Sequence, residues 1–227
     1  MIKAFYTGVS GSLANQSKLN VISNNMANVN TEGFKKSKAE FADLLHNNIR
    51  GASTGSGSKI AKIDIVFSQG APISTGNGTD FMVNGDGFFG ITLEDETVFT
   101  RAGSFKDTIT EDGRYLTYNG GYVLDSNEEP IEMEAFKNGE VVPAVFEFEN
   151  NSNLEQIGGN LFRVNNEEAI YEISEEDKLM QGYLEGSTVD IAEEMINIIE
   201  TQRAFQLNSN IIKTADEIEQ IINSLRN

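Results

Sequence analysis

The 227-residue sequence predicts an α+β protein: long N- and C-terminal helices that pair in a coiled-coil-like α domain, with a central, mainly antiparallel β domain. Three observations predict it. Apolar residues recur at helical spacing through the first thirty positions. The stretch from Asp190 to Leu225 contains neither Pro nor Gly. Everything between is short β-branched or aromatic runs divided by turn dipeptides. The implied organisation is an N-terminal helix and following turn over 1–50, a flexible linker over 51–62, an acidic β domain over 63–186, and a C-terminal helix over 187–227. The first and last segments together would form one assembly domain.

In the N-terminal segment Ile2, Tyr6, Val9 and Leu13 recur at steps of four, three and four, and Leu19, Ile22, Met26 and Val29 resume the rhythm. That is a helix with an apolar stripe. The step from Leu13 to Leu19 is six where a heptad needs seven, so the seam breaks near Gln16. Gly8, Ser10, Gly11 and Ser12 lower helix propensity, each glycine by about 1 kcal/mol relative to alanine. Alone in water this helix is marginal.

Gly51 to Ser58 is flexible by composition. After it come candidate strands at Ile63 to Phe67, Phe81 to Val83, Phe88 to Leu93, Val98 to Arg101, Tyr115 to Tyr118, Val141 to Phe148 and Leu161 to Val164. The separators Asn84-Gly85, Asp86-Gly87, Asp112-Gly113, Asn119-Gly120 and Asn138-Gly139 tolerate positive φ and close tight turns. Their polar, acidic faces suggest a solvent-exposed sandwich or barrel.

The C-terminal stretch would be about 54 Å long as an α-helix at 1.5 Å per residue. Asp190 with Glu193 resembles a capping box and places a carboxylate over the first-turn N–H groups. One stripe runs through Ile191, Met195, Ile198 and Phe205, and a second through Ala204, Ile211, Ala215, Ile218, Ile222 and Leu225. At about 100° per residue the two lie on roughly opposite sides, so one partner cannot cover both. A helix this long exceeds what a compact domain of this size encloses, which points to burial by several other chains.

Composition narrows the function. The formal charge is −18, unevenly spread: residues 1–50 hold six Lys/Arg against three Asp/Glu, residues 51–186 eight against twenty-five, and residues 187–227 three against seven. An anionic middle repels nucleic acid and anionic lipid. No apolar run is long enough to span a bilayer, and the first residues lack the apolar run and cleavage site of a secretory signal. Cysteine is absent, which removes disulfides, thiolate nucleophiles and cysteine metal sites. His46 is the single histidine, in an apparently helical stretch, and is read as exposed surface and not as a triad base.

Gly85-Asp-Gly87-Phe-Phe-Gly90 fits G-x-G-x-x-G, but the residues after it read as strand, turn, strand, so a hairpin is expected and not a phosphate loop. Asp125 to Glu129 has calcium-type oxygens, yet Pro130 stands where a calcium loop needs glycine. A solvated turn is expected there. No cofactor, metal or catalytic residue is assigned, and no enzyme class stands out.

One run is unusual: Asn24-Asn25-Met-Ala-Asn28-Val-Asn30-Thr31-Glu-Gly33-Phe34-Lys35. The four asparagines terminate a helix and bond side chain to backbone, and Gly33 supplies a left-handed residue after the last turn. The run resembles the N-terminal signature of the flagellar rod and hook family. Gly182 to Asp190, Glu193 to Phe205, Asn208-Ser209 and Thr214 to Asp216 are similar to the family's C-terminal segment. Asp80 to Phe89 and Phe99 to Phe105 are similar to its β domain. Within the family the opening residues and the Glu193 to Asn197 run are most similar to the distal rod branch, then to the proximal rod and the hook.

The resemblance implies a structural subunit of the flagellar basal body, carried out by the flagellar type III export apparatus without a cleaved signal. It would polymerise helically with itself and with neighbouring rod and hook subunits, and transmit torque. It implies no nucleic acid partner and no membrane insertion. The expected assembly residues are Ile2, Tyr6, Val9, Leu13, Ile22, Met26, Met195, Ile198, Phe205, Ile211, Ile218 and Ile222, with the Asn24 to Lys35 turn fixing how the helix feeds into the linker. The rival reading is a secreted β-domain binding protein whose helices only dimerise.

Overall fold

The computed structural model describes residues 2–44, 47–49, 52–55, 57–93, 96–110, 113–164, 171–174 and 179–226. His46 lies outside them. The chain divides into two compact units, one formed by residues 1–29, 36–66 and 189–227, the other by residues 30–35 and 67–188.

The first unit contains the helices α1, Ile2–Ala27, and α3, Ile191–Arg226. A short helix, α2, Met133–Asn138, belongs to the second unit. Asp190 starts α3 as the sequence predicts: its Oδ1 accepts from Ala192 N at 2.8 Å and Glu193 N at 3.3 Å. Glu193 does not complete a capping box and instead pairs with Lys36 at 2.9 Å. α1 packs on α3 where side chains are smallest. A Cβ on Gly8 would meet Ile212 Cγ1 at 3.0 Å, and one on Gly11 would meet Asn208 Nδ2 at 2.7 Å. The glycines that weaken the isolated helix therefore permit its close approach to α3.

Two sequence expectations change in this unit. The stretch before the linker is not helical: Ser37–Asp43 is a strand. It pairs antiparallel with Ser58–Ile65, with a bulge between Glu40 and Phe41. The strand Ser58–Ile65 also begins inside the segment read as linker. Alternation along Ser37–Asp43, with Ala39 half-buried between exposed Lys38 and Glu40, is a strand pattern that the flanking helix and glycines mask.

The second unit is built on a branched nine-stranded antiparallel sheet. Its path runs Leu154–Gly158, Leu161–Val164, Glu96–Thr100, Phe88–Leu93, Gly121–Val123, Gly113–Tyr118 and Lys106–Thr110. Val145–Phe148 branches from Phe88–Leu93 and pairs in turn with Tyr171–Ser174. The path is open at Leu154–Gly158 and Lys106–Thr110, so among the described residues it is not a closed barrel. Phe81–Val83 pairs with Leu179–Gln181, and Pro72–Ser74 with Tyr183–Glu185.

The G-x-G-x-x-G segment is the expected hairpin: Phe88–Leu93 pairs with Glu96–Thr100, and a Cβ on Gly90 would strike the Phe146 ring at 2.4 Å. Asn119 and Gly120, at φ 48° and 88°, make a two-residue turn with Tyr118 opposite Gly121. Asn138-Gly139 does not turn between strands. Gly139, at φ 75°, caps the C-terminus of α2, with its N–H on the Phe136 carbonyl at 3.0 Å. The expected solvated turn at Asp125 is partly internal: its buried carboxylate accepts from Asn127 N and Glu129 N, both at 2.9 Å.

The core of this unit gathers Phe81, Val83, Phe89, Phe105, Leu116, Val123, Ile131, Met133 and Val145. Beside it Phe67, Phe88, Phe99, Phe146, Phe148 and Phe162 meet edge to face, with ring centroids 4.8 to 5.7 Å apart. This geometry sets each ring's positive edge against its neighbour's negative face.

Candidate functional site

The two terminal helices leave their large apolar side chains outward. On α3 the residues buried within the chain are Glu194, Thr201 and Ala215, while Met195, Phe205, Ile211, Ile218 and Ile222 are exposed and Ile198 is half-buried. Leu225 is 82% exposed. On α1, Tyr6 at 64% and Leu13 at 59% are open, Val9 and Met26 are half-buried, and Ile22 is buried. Ile2 lies on α1, but its side chain is outside what the structure describes. Both α3 stripes keep most of their large side chains open, although Ala215 is buried and Ile198 half-buried, and α1 meets α3 at Asn208 and Ile212, beside Ile211. Ile22 departs from the expected list, since it is part of this unit's interior.

The motif turn is a second site, built around asparagine and buried charge. α1 ends at Ala27, earlier than a glycine cap at Gly33 would place it. Asn28 N–H closes back on the Asn24 carbonyl at 3.2 Å, and Asn28 Nδ2 does the same at 3.0 Å. Asn25 is buried and its amide acts as a strand partner: Nδ2 donates to the Ser37 carbonyl and Oδ1 accepts from Ser37 N, each at 2.9 Å. Nδ2 also donates to Glu194 Oε1 at 3.1 Å. Asn24 and Asn30 are exposed, and Thr31 accepts at its carbonyl from Phe34 N.

Gly33 has φ 68°, and a Cβ there would lie 2.6 Å from Ala102 N. Its N–H donates to the Glu185 carbonyl at 2.8 Å. Buried Phe34 accepts at its carbonyl from Thr188 N at 3.1 Å. Lys35 then turns inward. Its Nζ donates to Glu185 Oε1 and to the Ser68 carbonyl, both at 2.6 Å, with the ammonium and the carboxylate fully buried. Glu185 Oε1 also accepts from Gly70 N at 2.6 Å, and Oε2 lies 3.4 Å from Arg101 NH1. The Arg101 guanidinium sits 5.1 Å from the Phe88 ring centroid.

Burial holds Lys35 and Arg101 below their ordinary ranges, and the Glu185 carboxylate opposes that shift in both. Lys35, Arg101 and Glu185 come from the three separate motif segments, so this cluster is where those segments meet. The sequence names Lys35 only as the end of the asparagine run and includes Arg101 and Glu185 only within motif segments, not as a charge cluster. The available signal is a charge set in apolar runs, as in Phe34-Lys35, Phe99-Thr-Arg101-Ala and Leu184-Glu185. Among the described residues no group of three or more His, Asp or Glu is placed to hold a metal ion. No described helix is long and apolar enough to cross a membrane.

Comparison with known proteins matches these segments one by one. The family described as flagella basal body rod protein matches residues 5–35, the flagellar hook protein FlgE/F/G D1 domain matches residues 82–160, and the flagellar basal body rod FlgEFG protein C-terminal family matches residues 180–225. The flagellar basal-body rod protein FlgG of Bacillus subtilis is 35% identical over 265 positions, covering all of both chains. That of Borreliella burgdorferi is 36% identical over 270 positions, covering 100% of this chain and 99% of its own. The flagellar hook protein FlgE of Treponema pallidum is 40% identical over 118 positions, 46% of this chain and 26% of its own. The chain belongs to the flagellar rod and hook family, close to the distal rod protein FlgG.

Proposed function

We propose that the chain is a non-catalytic structural subunit of the flagellar basal-body rod, adding head to tail with copies of itself and with neighbouring rod and hook subunits. Residues 1–50 and 187–227 carry the assembly role, with coiled-coil-like contacts along α1 and α3, and the acidic β domain over 63–186 is carried by them. One observation supports this above others. α1 and α3 meet through Gly8, Gly11 and Asn208 and leave Tyr6, Leu13, Met195, Phe205, Ile211, Ile218 and Ile222 in water.

An apolar surface of that extent favours association. Because the open stripes of α3 lie on different sides, each copy meets different neighbours through different faces. Such head-to-tail contacts do not close and give a helical polymer that can carry torque. Rod subunits act outside the cytoplasm, so the reading includes passage through the flagellar type III export apparatus.

Sedimentation velocity across a concentration series tests it. The wild-type mass grows without a plateau, and the exposed-site variant Leu13→Asp/Phe205→Asp stays monomeric with an unchanged circular dichroism spectrum. A mass that stops at a closed dimer overturns the reading.

A further inference from the structure

The first unit holds a cavity of about 180 Å³ between the second half of α1, the start of strand Ser37–Asp43 and the first turns of α3. That is about ten times the space one water needs. Its floor is apolar at Val21 and Ile22 and polar at Asn25 and Glu194, all four buried. The Asn25 amide is committed to Ser37 and to Glu194. Glu194 lies in the first turns of α3, its Oε1 accepting from Asn25 Nδ2 at 3.1 Å.

Lys18, Lys36 and Lys38 are among the lining residues. Lys36 is paired with Glu193 at 2.9 Å. Lys18 has only the Phe41 ring, 6.0 Å away, and Lys38 has no ion pair among the described residues. The side-chain amide of Asn197 opens on the same rim, also without a described partner.

We propose that this cavity is a socket for an Asp or Glu side chain from the β domain of an adjoining copy, held by Lys18, Lys38 and the Asn197 amide. The proposal rests on the polymer reading above and names the contact that fixes how copies sit. Subunits of charge −18 repel, so a polymer of them needs places where opposite charges meet. The first fifty residues are the segment with a cationic excess, and residues 51–186 hold twenty-five acids. The uncommitted lysines at the cavity sit in the former. Charge complementarity of this kind sets register and rejects wrong contacts.

The test compares two variants that lower net charge equally: K18E/K38E at the rim, and K59E/K106E at exposed lysines elsewhere. The concentration at which polymer forms is read by sedimentation, with circular dichroism and thermal melting confirming that both fold. K18E/K38E is expected to raise that concentration about tenfold or more, K18Q/K38Q to raise it less, and K59E/K106E to leave it near wild type. Equal effects of K18E/K38E and K59E/K106E would assign the loss to general repulsion and overturn the socket, as would no effect of either. A wild-type protein that stays monomeric throughout overturns the polymer reading and the socket with it.

Discussion

Removing the Glu185 carboxylate would leave the Lys35 and Arg101 cations together in the interior without their directly bonded anion, balanced only by the weaker influence of Asp86 and, for Arg101, Glu147. Glu185→Ala is therefore expected to cost about 3–5 kcal/mol in thermal or urea unfolding. Glu193→Ala, which breaks a pair at the surface, should cost under about 1 kcal/mol. Because burial lowers the folded-state pKa of Lys35, the unfolded chain binds more protons than the folded one between that value and about 10.4. Stability from this group thus rises with pH across that window, and urea midpoints at neutral and alkaline pH should shift in favour of wild type over Lys35→Met. Two glycines separate backbone strain from crowding. Gly33 and Gly76 have φ of 68° and 71°, but a Cβ on Gly76 meets nothing within 4 Å. Gly76→Ala should cost about 1–2 kcal/mol, and Gly33→Ala clearly more. None of this cluster was legible in one dimension, because a chain with 17 basic and 35 acidic residues offers no way to choose which pair, 150 positions apart, becomes dry.

Elements with a local cause were the legible ones. α3 begins where Asp190 caps it, and Asp190→Ala should lower stability by about 1 kcal/mol. The strands Phe81–Val83, Phe88–Leu93 and Leu161–Val164 have the bounds their composition predicts. Elements whose signals coincide with those of another structure were not. Asn138-Gly139 supplies positive φ either to a hairpin or to a helix end, and here it serves α2. Periodicity located the apolar stripe of α1 but did not say which face α3 takes. That face is chosen by closeness of approach at Gly8 and Gly11, and proximity of backbones is a property of two helices, not of one sequence window.

For the whole molecule, the division into terminal helices and a β-rich middle followed from composition and turn spacing, whereas the sheet path did not, since the strands flanking Glu96–Thr100 come from Phe88–Leu93 and Leu161–Val164. Among the described residues, the Phe81–Phe89–Val145 core cluster of the second unit is made of that unit's own side chains. Deleting residues 191–227 should therefore leave a β-rich monomer whose cooperative melting persists, checked by circular dichroism and sedimentation, with polymer formation lost. The Bacillus relative aligns over 265 positions against 227 residues here, so it carries stretches this chain lacks. The hydrogen bond from Thr188 N to the Phe34 carbonyl bears on how such differences are borne. It joins residues 30–35 to the end of the second unit at Thr188, so a stretch gained or lost between Phe67 and Ser187 need not displace either of these two ends. Lineages can then refit the middle as an exchangeable cassette while the residues that frame it stay in place.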